Sequence, residues 1–279
     1  TFSFQKPHTD TIAVTPENEP FRDKEGEIIF RPGGHGALIE NFNDQPYDLT
    51  FIKNIDNIAS EHLWTDTIQY KTALGGLLLQ TKEQVFKLLR ELDSSPSEDL
   101  FERIQQFMSK ELHVHLPDTL KDKSIQEKAV FFKEYLNRPI RVCGMVLNEG
   151  EPGGGPFWVV DSSGIESLQI LESSQLDMNN SAHIEMLNKS THFNPVDLVC
   201  FTKNYLGKKF DLTQFSDPQT GFISDKTFNG KPIKALELPG LWNGAMANWL
   251  TLFVEVPVST FDPVKTVNDL LKDRHQPAE

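Results

Sequence analysis

The segment RPGGHGALIE, residues 31–40, places three glycines and one histidine in four consecutive positions. It follows the short apolar run IIF and leads into apolar residues at helical spacing. Glycine lets a ligand lie against the backbone, and the amides at a helix start favour negative or carbonyl groups. The loop matches neither the Walker nor the Rossmann pattern. Locally it is either a ligand-binding wall or a tight turn, and His35 is either a hydrogen-bonding structural residue or a catalyst.

A carboxylate stands at the end of an apolar strand, in the segment NIDN, residues 54–57. Sites in open α/β sheets lie at the carboxyl ends of strands. Mg²⁺ takes one or two carboxylates together with phosphate oxygens, so Asp56 is a candidate magnesium ligand. A helix cap or a turn is the alternative role for this residue.

Further polar residues stand beside strand ends, in LESSQ and HFNPVD. Glu172, Gln175 and Asn194 suit a hydroxyl-rich ligand such as a sugar, and each is also an ordinary turn residue. A second glycine loop, NEGEPGGGPFW, leads into a strand. It is either a hairpin turn or a floor for a flat ligand.

Lys265 lies in FDPVKTVNDLL, in the first turn of an expected helix. A lysine in that place can point at a phosphate, although a surface lysine is the alternative. The sequence contains no GxSxG motif and no nucleophile-and-base pattern. Cys143 and Cys200 stand in apolar strand-like settings and are expected to be buried free thiols.

The elements that must position these residues alternate between strands and helices. TFSF, IIF and YDLTFIK read as strands, residues 73–138 read as a run of helices, and strand patterns return from Pro139. We therefore predict an α/β fold with a mixed, mostly parallel sheet. The predicted parts are a nucleotide-binding part at 1–72, a helical insertion at 73–138 and a sugar-phosphate-binding part at 139–279.

The overall charge excludes two classes of partner. The chain of 279 residues has a formal net charge of −13, whereas nucleic acid and anionic membranes both attract basic surfaces. A small anionic ligand is compatible with this charge, because backbone amides and a few lysines act locally. The sequence has no apolar run of about 18 residues and no signal peptide, so we expect a cytoplasmic protein.

The order of the motifs carries more information than any one of them. FSFQKP, PGGHGAL, FIKNIDN, LQILESSQ, FN, ALELPGLWNGAM and VEVPVSTFDPVKTVNDLL follow one another along the chain. This order resembles the eukaryotic-type UDP-sugar pyrophosphorylases, and residues 256–271 are its most specific part. Even more closely, the chain resembles the C-terminal part of a bacterial family of unknown function that shares these motifs. The resemblance covers most of the chain outside the helical insertion.

The resemblance implies a nucleotide-diphospho-sugar transferase fold and a uridylyltransferase-like reaction, in which NTP and sugar 1-phosphate give NDP-sugar and pyrophosphate. It places a group of residues against the base and ribose, namely Gln5, Gly33, Gly34 and Gly36, with His35 between them. It implies that Asp56 binds a metal ion, expected to be Mg²⁺, and that Lys265 contacts phosphate. It assigns Glu172, Asn194 and Glu237 to the sugar.

One departure from the family pattern limits this expectation. The relatives open with a glycine-rich loop ending in arginine, of the form GxG(T/S)R, and no such loop occurs in this sequence. We expect the loop, with its strand and helix, in an upstream N-terminal segment of the same protein. The alternatives are a non-catalytic nucleotide-sugar binding domain and a glycosyltransferase of related fold. Such a glycosyltransferase would need a metal-binding DxD motif at the strand end, where NIDN contains one acidic residue.

Overall fold

A computed structural model describes residues 2–57, 61–148, 154–261, 263–264, 266–272 and 275–276, without the side chains of Asp56, His62 and Ser174. The described chain is of the mixed α/β type. Its strands are β1 Thr11–Val14, β2 Phe30–Arg31, β3 Leu49–Lys53, β4 Ile140–Leu147, β5 Gly155–Val160, β6 Glu166–Leu171, β7 His192–Phe201, β8 Phe222–Phe228, β9 Lys231–Glu237 and β10 Leu250–Glu255. Its helices are α1 Leu38–Asn43, α2 Trp64–Ser94, α3 Glu98–Lys110, α4 Ile125–Leu136 and α5 Ser181–Asn188.

The chain divides into two compact units, each built from separate stretches of sequence. The first unit comprises Thr1–Pro46, Ser174–Asp177 and Asp211–Asn248, and the second comprises Tyr47–Ser173, Met178–Phe210 and Trp249–Glu279. The predicted parts at 1–72, 73–138 and 139–279 are divisions by function, and they stay a prediction. The boundaries of the compact units differ from these divisions, because the chain leaves the first unit and returns to it twice.

The first unit contains a four-stranded antiparallel sheet in the order β2-β1-β9-β8. Its small core is Ala13, Phe21 and Ile233, with the ring of Phe228 edge-on to Phe21. The β8–β9 hairpin turns at Asn229 and Gly230, both of which have positive φ, at 48° and 76°. Asn-Gly is the residue pair that a tight two-residue hairpin of this hand requires.

The second unit is built on a four-stranded mixed sheet in the order β10-β4-β7-β3. Strands β10 and β4 pair in parallel, while β7 runs antiparallel to both β4 and β3. Three of its four strands therefore point the same way. Among the described strands only the β10–β4 pairing is parallel, so the expected mostly parallel pairing is not seen there, whereas the mixed α/β class is confirmed.

The strand register in this sheet brings the ends of several strands to one edge. Asp197 of β7 is opposite Lys53 at the end of β3 and opposite Gly144 of β4. Glu255, the last residue of β10, is opposite Met145. The carboxyl ends of β3, β4 and β10 and the amino-terminal half of β7 thus lie together, and we call this the carboxyl edge.

The helical run packs its apolar face on this sheet. Helix α2 buries Leu74, Leu78, Val85 and Leu89 in a cluster with residues of β4, β7 and β10. Each such burial contributes roughly 1.5–3 kcal/mol of transfer free energy. Helix α4 begins with the capping box that Ser124 and Glu127 form. Helices are confirmed within 73–138, although the first begins at Trp64.

Two predicted elements differ in the structure. The strand expected at TFSF is wrong, because residues 2–4 pair with no strand and the rings of Phe2 and Phe4 are exposed. The closing α-helix is instead a 3₁₀ turn at Val267–Leu271, capped by Thr266. None of the helices in the described ranges combines the length and apolar character needed to span a bilayer.

Candidate functional site

In the first unit, the glycine loop lies directly against the backbone of residues 237–240. The amide of Leu238 donates a hydrogen bond to Gly33 O at 2.8 Å. A Cβ on Gly36 would overlap the Pro239 carbonyl and would lie 2.9 Å from Leu238 O. Gly34 has φ of +79°, in the left-handed region that glycine adopts readily. The three glycines are therefore required by the close packing of the loop and by its backbone turn.

The side chain of His35 is part of this packing. Its Nδ1 accepts a hydrogen bond from the Leu241 amide at 3.0 Å, and its ring stacks on Trp242 with centroids 4.3 Å apart. A neutral imidazole that accepts at Nδ1 carries its proton on Nε2. These contacts give His35 the structural role that the sequence left open beside catalysis.

Gln5 belongs to a segment that packs beside the loop. Its Nε2 donates to Asp10 Oδ1 at 3.0 Å. The same segment is tied to α1 by Lys6 and by His8, whose Nε2 lies 2.6 Å from Glu40 Oε2. A Cβ on Gly33 would lie 2.9 Å from Thr9 O, so the segment reaches the loop backbone. A cavity of about 440 Å³ adjoins this contact, lined in part by Thr9, Gly36, Ile39, Gln214, Leu238 and Pro239.

Glu237 lies at the same loop, in the first unit. A Cβ on Gly34 would be 2.9 Å from its Oε2, and its Oε1 lies 2.7 Å from Lys226 Nζ and 3.0 Å from Ser224 Oγ. The bond to Lys226 holds the pKa of the Glu237 carboxyl below its usual value. Its predicted sugar-binding partners, Glu172 and Asn194, belong to the second unit.

At the carboxyl edge of the second unit, the NIDN segment forms a 3₁₀ turn immediately after β3. Asp56 lies in this turn, and its side chain is outside the description. Asn57 is 3 % exposed, and its Nδ2 donates to Pro195 O. Its Oδ1 is buried and has no hydrogen-bond partner among the described residues. Asn57 is therefore a polar group at this edge that the sequence reasoning did not single out.

The FN segment is fixed to the same edge by its own backbone and side chain. Asn194 is buried, its amide donates to Gly154 O at 2.8 Å, and its Oδ1 accepts from the Val196 amide at 3.1 Å. Val196 has φ of +58°, an uncommon conformation for a β-branched residue. The hydrogen bond that Asn194 Oδ1 accepts from Val196 stabilises this turn. A turn role was the alternative to sugar contact for this residue.

The structure brings Glu172 close to Asn194. A Cβ on Gly154 would lie 3.2 Å from Glu172 Cγ, and Gly154 accepts from the Asn194 amide. The residues Glu172 to Gln175 of the LESSQ segment do not form a strand, however. Glu172 follows the end of β6, and Gln175 ends the 3₁₀ turn Ser173–Gln175. The described part of the second glycine loop, from Gly154, enters the β5–β6 hairpin.

One charged cluster at the carboxyl edge was missed by the sequence reasoning. Asp197 is 3 % exposed and accepts from Lys71 of α2. Its Oδ2 lies 3.6 Å from Nζ of Lys53, which donates to Thr260 O at 3.0 Å. Burial lowers the pKa of Lys53, and Asp197 offsets part of that effect. The only sequence signal was a lysine ending the apolar strand LTFIK.

Two predicted roles concern groups that the structure does not describe. Lys265 lies outside the described residues, so its predicted phosphate contact stays a prediction. The predicted magnesium site at Asp56 is also untested. Within the described ranges, no three His, Cys, Asp or Glu side chains converge on a point that could hold a metal ion. Cys143 and Cys200 are buried free thiols, as predicted, and burial raises the pKa of both.

Comparison with solved structures finds similarity to UDP-glucose pyrophosphorylases of low sequence identity. A variant of the Leishmania major enzyme in complex with UDP-Glc is 16% identical, with a TM-score of 0.49, over 94% of this chain and 46% of that chain. Open and closed structures of the same enzyme give 16%, 0.44, 94% and 46%. A Trypanosoma brucei UDP-glucose phosphorylase gives 17%, 0.44, 93% and 45%.

This chain thus spans less than half the length of those proteins. Because the TM-scores are below 0.5, we draw no argument from these similarities. No curated protein matches the sequence. The family comparison is decisive, since it matches residues 1–276, and the chain belongs to the DUF4301 family, a domain of unknown function.

Proposed function

We propose that this chain is part of a nucleotidyltransferase-like protein that makes or binds a nucleotide-sugar. The reaction joins NTP and sugar 1-phosphate to give NDP-sugar and pyrophosphate. The observation that carries the proposal is the register of the second unit's sheet. It brings NIDN, FN and the segment Pro257–Phe261 to one edge, although 135 residues lie between NIDN and FN and 62 between FN and Pro257. Carboxyl ends of strands are where α/β sheets bind ligands.

The residue types suit phosphoryl transfer. A sugar phosphate is already a nucleophile, so catalysis needs alignment and charge neutralisation rather than a strong general base. Asn194 and Glu172, which meet at Gly154, would contact the sugar. Lys265, four residues after Phe261, would contact the phosphate.

The donor set at the NIDN turn fits a hard cation. Asp56 supplies a carboxylate, and the buried Oδ1 of the neighbouring Asn57 has no partner among the described atoms. Oxygen donors of this kind, completed by phosphate oxygens and water, are what Mg²⁺ prefers. Asp56 would hold the ion, with Asn57 beside it. A bound Mg²⁺ would neutralise charge on the reacting phosphates.

In the first unit, the proposed role of the glycine loop is recognition. Its backbone, together with Gln5, would lie against the base and ribose, and the close packing of Gly33 and Gly36 on residues 237–240 supports a rigid wall. His35 is held by Leu241 and Trp242, which supports a role in shaping the loop rather than as a base.

The test uses the full-length protein with Mg²⁺ and measures pyrophosphate released from a panel of nucleoside triphosphates and sugar 1-phosphates. We expect turnover with UTP and at least one sugar phosphate. Lys265→Ala should reduce turnover at least 100-fold, since it removes the phosphate contact. Lys272→Ala is the matched control, because Lys272 is an exposed lysine ion-paired with Asp269 at the end of the following turn.

Four other outcomes would change the proposal. Binding of UTP or a UDP-sugar without turnover would favour a non-catalytic nucleotide-sugar binding domain. Transfer of sugar from a nucleotide-sugar to an acceptor would favour a glycosyltransferase. Absence of both binding and turnover across the panel would contradict the proposal. Equal loss of activity in the Lys265→Ala and Lys272→Ala variants would show that Lys265 does not contact the phosphate.

A further inference from the structure

Lys53 occupies a junction between three segments of the second unit. It is the last residue of β3 and lies opposite Asp197 of β7 in the strand register. Its side chain is 15% exposed, and its Nζ donates to Thr260 O at 3.0 Å. A single ammonium group thereby joins the end of β3, the strand β7 that contains the FN motif and the turn Pro257–Phe261.

Neutralisation of Asp197 does not account for this lysine. Asp197 is already ion-paired with Lys71, whose ammonium is closer to the carboxylate than that of Lys53. Among the described side chains, Asp197 and Lys71 already form a neutral pair without Lys53. A buried ammonium costs desolvation free energy unless its contacts compensate for it. Of the two ammonium groups at Asp197, that of Lys53 is the one that also donates to Thr260 O.

The segment that receives this bond is a short turn at the rim of the core. Pro257–Phe261 forms a single 3₁₀ turn, closed by the Thr260 amide on Pro257 O and the Phe261 amide on Val258 O. Phe261 is 2 % exposed and packs in the core cluster against Phe193, and Ser259 donates to Asp66 at 2.7 Å. A turn of this length has few internal hydrogen bonds, so a bond from a strand end adds a restraint on its backbone at Thr260.

We propose that Lys53 is a positioning residue, which fixes the turn Pro257–Phe261 against the end of β3. Its role in turnover rests on the proposed function: the tie would fix the turn that precedes Lys265 in the sequence relative to the end of β3, which leads into the NIDN turn. Misplacement of reacting groups by about 1 Å can reduce a rate about 100-fold. Lys53 itself need not touch substrate.

The first test measures amide hydrogen exchange in the full-length protein carrying Lys53→Met. Methionine keeps an apolar stem of similar length and removes the ammonium. We expect the amides of Thr260 and Phe261 to exchange at least tenfold faster, because their turn loses its anchor. Lys53→Arg should restore most of the protection, since a guanidinium can still donate to Thr260 O.

A matched control is Lys128→Met. Lys128 is similarly buried, at 11% side-chain exposure, and its Nζ lies 3.0 Å from Glu98 Oε1 in the helical part of the second unit. We expect it to lower overall stability without selectively speeding exchange at Thr260 and Phe261. Unchanged exchange in Lys53→Met, or equal acceleration in Lys128→Met, would overturn the positioning role.

The second test is kinetic. Lys53→Met should lower kcat at least tenfold and leave KM for the nucleoside triphosphate within about twofold. A purely structural loss would instead lower the fraction of active enzyme, and kcat per active site would return to the wild-type value after active-site titration. If the wild-type protein turns over no substrate, the proposed reaction fails, and the exchange experiment alone decides the role of Lys53. If turnover is normal in Lys53→Met although exchange is faster, the tie exists and its catalytic consequence is refuted.

Discussion

Replacing Gly36 by alanine tests how closely the glycine loop is packed. A Cβ at this position would lie 2.7 Å from the Pro239 carbonyl carbon and 2.9 Å from Leu238 O, against an ordinary contact limit of 3.4 Å. The carbonyl carbon must therefore retreat by at least 0.7 Å, the difference between 3.4 and 2.7 Å. Both neighbours are backbone atoms, so no side-chain rotation can relieve the overlap.

The expected cost of Gly36→Ala is the upper end of the usual range for overpacking, about 3 kcal/mol. For a domain of 150 residues or more, each kcal/mol lowers Tm by roughly 2–4 °C, so a decrease of about 6–12 °C is predicted. The assay is thermal and urea unfolding followed by circular dichroism. Gly36→Ala should also weaken nucleotide binding below the unfolding transition, since the loop is displaced.

Gly76→Ala is the matched control for this substitution. Gly76 lies inside α2, and a Cβ there would have no neighbour within 4 Å. Alanine is the better helix former, so the variant should gain about 0.5–1 kcal/mol. If Gly36→Ala is as stable as the wild-type protein, the loop does not lie against residues 238–239 as described, and the reasoning is refuted.

Three further predictions concern other described groups. His35→Phe keeps the ring stack but leaves the Leu241 amide without its acceptor, so it should cost roughly 1–3 kcal/mol in urea unfolding, and no loss would contradict the contact. The lowered pKa of the Glu237 carboxyl stabilises the folded protein above the ordinary carboxyl pKa, and this stabilisation is lost as pH falls through the lowered pKa. Glu237→Gln should therefore reduce the loss of unfolding free energy at acid pH. An unchanged acid limb of the stability–pH curve would contradict this role of Glu237. Cys143 and Cys200 should react with a thiol reagent at pH 8 only after unfolding, because burial raises both pKa values, Cys143 to about 11, and rapid reaction of the native protein would contradict this.

Local patterns in the sequence predicted those parts of the fold that depend on local chemistry. The apolar run before NIDN is β3, and the helical spacing after Ala73 is part of α2. These predictions succeed because hydrophobic periodicity acts over a few residues.

The parts that failed depend on partners distant in sequence. TFSF has the alternation of a strand, but its phenylalanines have no apolar surface to cover them. The acceptor role of His35 depends on an amide 206 residues away. The cluster of Lys53 and Asp197 depends on the register of β3 with β7. No local pattern specifies such pairs, because strand pairing is a property of the folded sheet.

Placement of the candidate site was predictable only in part. The motif order anticipated that NIDN and FN would meet, and the register of the second unit's sheet brings their strands to one edge. Glu237 lies beside Gly34 in the first unit, and its predicted sugar contact stays a prediction. Its hairpin partner Lys226 is what neutralises it there.

The proposed contact between the glycine loop and the base of a nucleotide can be measured directly. The measurement is photo-crosslinking of the full-length protein with 5-azido-UTP, followed by mass spectrometry of the labelled peptides. We expect label within residues 1–46, at or beside Gly33 and Gly36, and protection by excess UDP-sugar. Label confined to peptides outside this segment, or label that UDP-sugar does not reduce, would contradict it.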